Sequence, residues 1–254
     1  MTAVAGFALL WIARHGERPR PARPRTIIAL GLSIALVNAA YYLAIDHLDV
    51  AVAIVLQYTA PALVVLWTAA TLRRKPAPEI LTALIAAVIG VVLVVELPLG
   101  GVGRLDTIGL LFGLASAALF AAYTLLGERA EQAYGPAGAM VRAFAVATVF
   151  WIAFQIPRGW PAELFRAANV PEVAFVGVAG TLTPFLLYVW AVRHLRAERT
   201  TIVATLEPVL AALFAWVFLD EALSPMQIGG GALVIAAIAV LQIRRKPAVA
   251  PAAP

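Results

Sequence analysis

The chain has 254 residues, of which 63% are hydrophobic and 13% are charged, with a formal net charge of +5 and no cysteine. A typical soluble domain has about 45 to 50% apolar and about 25% charged residues, and no soluble fold would bury this excess of apolar side chains. The absence of cysteine excludes disulfides, thiolate metal sites and cysteine nucleophiles. The composition therefore predicts an all-α polytopic membrane protein.

The first apolar segment covers residues 1–13 and is too short to cross a membrane. As a helix it would reach only about 20 Å, whereas the hydrocarbon core is about 30 Å thick. A basic cluster follows it, while a secretory signal peptide carries its positive charge before the apolar stretch. We expect this segment to be the end of a clipped membrane helix. The natural product would then begin upstream, with one more helix and the front of this one.

Eight longer apolar runs follow, each about 18 residues or more and long enough to span the bilayer as a helix. With the clipped segment they predict about nine helices. The predicted spans are 26–45, 50–72, 80–98, 107–126, 139–156, 172–192, 200–219 and 226–243.

The basic residues lie in short clusters between these spans and not on one soluble face, so we interpret them as topology determinants and predict no nucleic-acid partner. If alternate loops lie on alternate sides of the membrane, all but three of the 19 lysines and arginines fall on one side. The three exceptions are Arg104, Arg158 and Arg166. Because basic loops stay in the cytoplasm, we expect a cytoplasmic C-terminus in a bacterial-type inner membrane.

Residues 41–78 recur as residues 188–225, with the charges of their loops reversed. Two homologous halves with opposite loop charges must lie upside down relative to each other in the bilayer, which is typical of transporters. The matched residues are Tyr41 and Tyr188, His47 and His194, Leu48 and Leu195, Pro61 and Pro208, Leu72 and Leu219, and Pro78 and Pro225. In the reversed charges, Asp46 faces Arg193, Asp49 faces Arg196, Arg73 faces Asp220 and Arg74 faces Glu221.

The last sixty residues carry a specific resemblance to a known family. The stretch Leu206-Glu207-Pro208, the apolar run to Phe218-Leu219-Asp220-Glu221, and Leu223-Ser224-Pro225-Met226-Gln227 with glycines 229 to 231 resemble the closing motif of EamA-type transporters of the drug/metabolite transporter superfamily. A weaker copy surrounds Pro61, and Gly109, Gly113, Tyr123 and Gly127-Glu128-Arg129 look like the opening helix of a second repeat.

This resemblance implies ten helices in two inverted repeats of five, and a carrier of small metabolites. The domains would be a first repeat over 1–99 that lacks its first helix, a second repeat over 107–243, and a cytoplasmic tail over 244–254. The resemblance also draws attention to the carboxylate of the closing motif, Glu207.

Glu207 lies near the middle of its predicted span, where an ionised carboxylate costs at least about 2.5 to 3.5 kcal/mol. It must therefore be protonated, solvated or paired. Pro208 beside it removes a helical hydrogen bond and predicts a helix break, as does its repeat mate Pro61. We predict that Glu207 handles substrate or a proton. The alternative is that it only satisfies local backbone or a neighbouring polar group.

Other polar side chains lie at bilayer depth and need partners there. Gln57 and Tyr58 precede Pro61, and we expect both to face the interior of the bundle. Threonines often bond their own helix, and tyrosines near span ends are often interfacial anchors, so both readings stay open for the weaker candidates. The predicted substrate-binding residues are Glu207, Gln57, Tyr58, Asn38, Tyr188 and Thr205.

We predict no catalytic residue, no metal site and no cofactor. His47 and His194 lie on opposite sides in the inverted arrangement and so cannot share a metal ion. The chain also lacks a phosphate-binding G-x-x-x-x-G-K-[ST] loop, so the energy for transport would come from a gradient or from the substrate itself.

The sequence thus favours a secondary transporter that exports small metabolites such as amino acids by alternating access. Its partners would be a small-molecule substrate and the lipid bilayer, and a homodimer is compatible with the sequence. One alternative is a membrane-embedded enzyme, which would need paired carboxylates, or a Ser/His or histidine-rich constellation, within the spans. Another is a non-transporting membrane scaffold, if the shortened first repeat is genuine.

Overall fold

The computed structural model describes residues 23–97, 106–159, 166–220 and 222–243. Helices account for most of these residues, and no strand occurs among them. This confirms the predicted all-α polytopic fold. The clipped segment at 1–13 and the tail at 244–254 lie outside the described residues, so the predictions for them stay predictions.

Ten α-helices follow one another along the described chain. A π-helical segment, Val178–Leu182, joins α6 to α7, and a short 3-10 turn, Ile156–Arg158, follows α5. The helices are α1 Pro24–Ile45, α2 Val50–Gln57, α3 Ala60–Leu72, α4 Pro78–Val94, α5 Thr107–Gln155, α6 Val170–Gly177, α7 Thr183–Leu195, α8 Ala197–Ala204, α9 Leu206–Leu219 and α10 Pro225–Ile243.

The helices reproduce the eight predicted spans. Within the described ranges, five helical stretches are long and apolar enough to cross a membrane, and the longest, Thr107–Arg158, has 52 residues and contains two of the predicted spans. The shorter apolar helices α4 and α10 match the remaining two. The protein is therefore a multi-pass membrane protein.

Helix α5 bends back on itself at Gly135, whose φ of 68° and ψ of 166° are not helical. A positive φ suits glycine because it has no Cβ, and Pro136 directly after it cannot supply a backbone N–H. The centroid of the Phe185 ring lies 5.4 Å from that of Tyr123, which precedes the bend, and 5.8 Å from that of Phe144, which follows it. The two arms of α5 therefore lie side by side.

The sequence repeat is also a repeat of backbone structure. Adding 147 to the bounds of α2 gives the bounds of α8, because Val50 and Gln57 correspond to Ala197 and Ala204. The helices that follow both end in a left-handed residue, Arg73 with φ 50° and Asp220 with φ 56°. These two residues are repeat mates of opposite charge.

The loop that follows α1 and its repeat mate, the loop that follows α7, lie at opposite ends of the first arm of α5, which is the part of this helix before Gly135. His47 Nδ1 lies 3.0 Å from Asp106 Oδ2, at the residue that caps the start of α5. At the far end of the arm, Arg196 Nε lies 3.7 Å from Glu128 Oε1. From Asp106 to Glu128 an α-helix rises about 33 Å, which is about the thickness of the hydrocarbon core. This geometry agrees with the inverted arrangement that the loop charges predict.

The repeat mates α4 and α10 pack against each other through glycines. A Cβ on Gly90 would lie 2.9 Å from the carbonyl oxygen of Gly230, and a Cβ on Gly230 would lie 2.7 Å from the carbonyl oxygen of Gly90. Such small residues let two helix backbones approach closely in a membrane. This contact holds the two repeats together on one side of the bundle.

Candidate functional site

A cavity of about 380 Å³ lies between the repeats, at the level of the helix interruptions. Helices α1, α2, α7 and α9, the first arm of α5 and the π-helical segment form its wall. The lining residues are Val37, Asn38, Tyr41, Tyr42, Gln57, Phe120, Tyr123, Gly180, Pro184, Phe185, Tyr188 and Glu207.

Glu207 lies in the first turn of α9, directly after the interruption at Thr205. Its side chain is exposed to the cavity, and its Oε2 accepts a 2.8 Å hydrogen bond from the hydroxyl of Tyr58, which is only 5% exposed. The positive end of a helix dipole also favours a negative charge at this position. The carboxylate thus has a hydrogen-bond partner and faces an open cavity, so it is not buried in apolar surroundings as its depth in the span would otherwise imply.

Gln57 is held by hydrogen bonds that tie three helices together. Its Nε2 donates to Ser116 Oγ at 2.9 Å, and this hydroxyl lies 3.4 Å from the carbonyl oxygen of Val37. Ser116 is fully buried on the first arm of α5. The Gln57 amide therefore has a set orientation in the cavity wall.

Asn38 and Tyr188 complete the polar lining. Asn38 is exposed to the cavity, and its amide forms no hydrogen bond within the part of the chain that the structure describes. The hydroxyl of Tyr188 lies 2.8 Å from the hydroxyl of Thr124. The ring centroids of Tyr188 and Tyr123 are 5.0 Å apart. Tyr188 therefore belongs to the cavity wall and not to a membrane interface.

The remaining predicted residues lie behind the lining. Tyr58 is not among the lining residues, but it contacts one of them through its hydrogen bond to Glu207. Thr205 is fully buried and its hydroxyl donates to the carbonyl oxygen of Ile202 at 2.6 Å, so it does not line the cavity. Pro61 lies at the second residue of α3 and Pro208 at the third of α9, each just after an interruption in its span. These prolines mark the two breaks near which the cavity forms.

The structure adds aromatic residues that the sequence prediction did not select as site residues. Phe120 and Tyr123 are three residues apart on α5, and Phe185 and Tyr188 are three apart on α7, so each pair faces the same side of its helix. The rings of Phe120 and Tyr188 are 5.7 Å apart. The spacing could have indicated these pairs, but aromatic residues are frequent in membrane helices and the spacing alone is weak.

The site offers one carboxylate, two amides, phenol hydroxyls and aromatic faces. Within the described ranges no group of histidine and acidic side chains is placed to hold a metal ion. Glu207 is the one carboxylate among the described lining residues. The arrangement is suited to binding a small molecule.

A cavity between inverted helix repeats of a membrane protein is the architecture of a carrier. The chain belongs to the EamA-like transporter family, whose model matches residues 1–96 and 107–243. This confirms the resemblance seen in the closing motif.

The chain is similar to several curated transporters. It is 31% identical over 224 residues to the threonine/homoserine exporter RhtA of Salmonella typhimurium strain SL1344, covering 87% of this chain and 72% of that protein. The protein of the same name from Escherichia coli K12 is 29% identical over 212 residues, which cover 83% of this chain and 68% of that protein. A solved crystal structure matches with a TM-score of 0.70 and 21% identity over 94% of this chain and 84% of that one, which shows the fold alone.

Proposed function

We propose that this protein is a secondary transporter of the bacterial inner membrane that exports small polar metabolites such as amino acids. The observation that carries the proposal is the cavity of about 380 Å³, in which Glu207 lies at the break of α9. Ligand sites of small molecules commonly have volumes of about 300 to 1,000 Å³. The similarity to two proteins named as threonine/homoserine exporters supports amino acids as the substrate class.

Alternating access is supported by the inverted relation of the repeats. Tyr42 lies near the end of α1 that leads to His47, and it is 62% exposed. Toward the opposite end of the cavity the rings of Tyr123 and Tyr188 lie against each other, and beyond them Arg193 Nε lies 3.9 Å from Glu131. We infer that the cavity opens toward the His47 side in this conformation and that the aromatic pair closes the other side.

The positive-inside rule assigns the closed side to the cytoplasm, since the basic loop from Arg193 to Arg199 lies there. Transport then requires the aromatic pair and the ion pairs beyond it to separate. Glu207 is the one acidic side chain among the described lining residues, so proton exchange at this residue would couple transport to a proton gradient.

An export assay tests this function. Cells that express the protein are loaded with a panel of labelled amino acids, and efflux is measured for the wild type and for Glu207→Gln. We expect efflux of at least one amino acid from wild-type cells and a reduction of at least tenfold in the variant. The matched control is Glu172→Gln, because Glu172 is an exposed carboxylate in the first turn of α6 outside the cavity. Efflux no faster than from empty-vector cells across amino acids and other small metabolites would refute the proposal.

A further inference from the structure

We propose that the cavity recognises its substrate by a positively charged amino group bound to Glu207, and that it needs no carboxylate on the substrate. This inference deepens the proposed function and rests on it, because the bound molecule is a substrate only if the protein transports it. It concerns the chemistry of the cavity and can be tested by binding alone.

The charges of the lining favour a cation. Glu207 is the one charged side chain among the described lining residues, and none of these residues is basic. One of its oxygens accepts from Tyr58, while Oε1 has no hydrogen-bond partner within the described residues and remains available to a ligand. An ammonium group there would form a charge-assisted hydrogen bond, whereas an anion would lie beside a carboxylate with no cation to compensate it.

The aromatic residues favour the same ligand group. The faces of aromatic rings carry partial negative charge and attract ammonium groups within about 6 Å. Tyr41, Tyr123 and Tyr188 line the same cavity as Glu207. An amino group between Glu207 and these rings would meet negative potential on several sides.

The rest of the lining can bind only neutral or weakly charged parts of a substrate. The amides of Asn38 and Gln57 supply neutral hydrogen bonds, which contribute less than charge-assisted ones. A substrate carboxylate would therefore find donors but no counter-ion. Removing it should cost little affinity, while removing the positive charge of the amino group should cost much.

A binding experiment on the purified protein separates these contributions. Titration calorimetry and thermal stabilisation are measured with L-threonine, with L-threonine amide, which lacks the carboxylate, and with N-acetyl-L-threonine, which lacks the ammonium. We expect the amide to bind within about threefold of threonine, and the N-acetyl compound to bind about 10- to 100-fold more weakly, as the loss of a charged hydrogen bond implies. These comparisons use the wild-type protein and so do not depend on the folding of a variant.

Variants then assign the effect to Glu207. Glu207→Gln should weaken both amine probes by about 10- to 100-fold, because the amide keeps the shape of the side chain but not its charge. It should not weaken the N-acetyl compound, whose carboxylate would no longer lie beside a second negative charge. Glu172→Gln, outside the cavity, should bind all three probes as the wild type does.

The proposal is overturned if N-acetyl-L-threonine binds as tightly as threonine, if neither amine probe binds the wild type, or if Glu207→Gln binds the amide normally. Export of some other metabolite would then leave the proposed function standing. Conversely, a protein that binds the amines through Glu207 but exports none of the panel would support this inference and refute the proposed function.

Discussion

The hydroxyl of Tyr58 donates a 2.8 Å hydrogen bond to Oε2 of Glu207, and it thereby joins the helix break of the first repeat to that of the second. The bond has no counterpart by symmetry. The repeat mates of these two residues are Thr205 and Ala60, and an alanine side chain can accept no hydrogen bond. The backbone around the cavity is therefore repeated, but the carboxylate is present only in the second repeat.

Replacing Tyr58 by phenylalanine should weaken substrate binding by up to about tenfold, because Glu207 loses the bond that orients its carboxylate, and a hydrogen bond to a charged group is worth about 1.5 kcal/mol. The ring and its packing are kept, so the protein should be inserted normally. The measurement is the apparent affinity for the exported amino acid. Tyr134→Phe serves as the control, since Tyr134 lies outside the cavity wall and its ring would still lie under the Arg142 guanidinium. Equal affinities for the two variants would make the Tyr58–Glu207 bond incidental.

Cysteines placed at His47 and His194 should be labelled from opposite sides of the membrane. Both positions are exposed, and the chain has no cysteine of its own to give background. In intact cells a membrane-impermeant maleimide should label His47→Cys and reach His194→Cys only after permeabilisation. Labelling of both positions from the same side would end the inverted-repeat interpretation.

Gly230→Ala should destabilise the protein, whereas Gly229→Ala should not. A Cβ on Gly230 would lie 2.7 Å from the carbonyl oxygen of Gly90 and 2.8 Å from the backbone nitrogen of Val94, which are backbone atoms that cannot rotate away. Overpacking of this kind costs about 1 to 3 kcal/mol. No atom lies within 4 Å of a Cβ on Gly229, its neighbour in α10. Thermal unfolding in detergent measures the difference, and equal melting temperatures would contradict the close packing of α4 on α10.

Much of the architecture could be predicted from the sequence because membrane insertion depends on local properties. The length and hydropathy of each apolar run indicated the spans, the proline mates Pro61 and Pro208 indicated where two of them break, and the reversed loop charges indicated their orientation. The same reasoning selected Glu207, because a carboxylate in an apolar span is costly wherever the chain places it. These inferences do not require knowledge of which helices are neighbours.

Only the tertiary structure decided which side chains meet. In lipid both faces of a helix are apolar, so hydrophobic periodicity does not show which face turns inward, and packing between segments far apart in sequence settles it. That packing brings Tyr58 into contact with Glu207 and places Tyr123 in the cavity wall. It also buries Thr205, whose hydroxyl bonds the backbone of its own helix. The sequence by itself thus determined a membrane carrier with two broken, inverted spans, and the assembly of the helices determined which residues form its cavity.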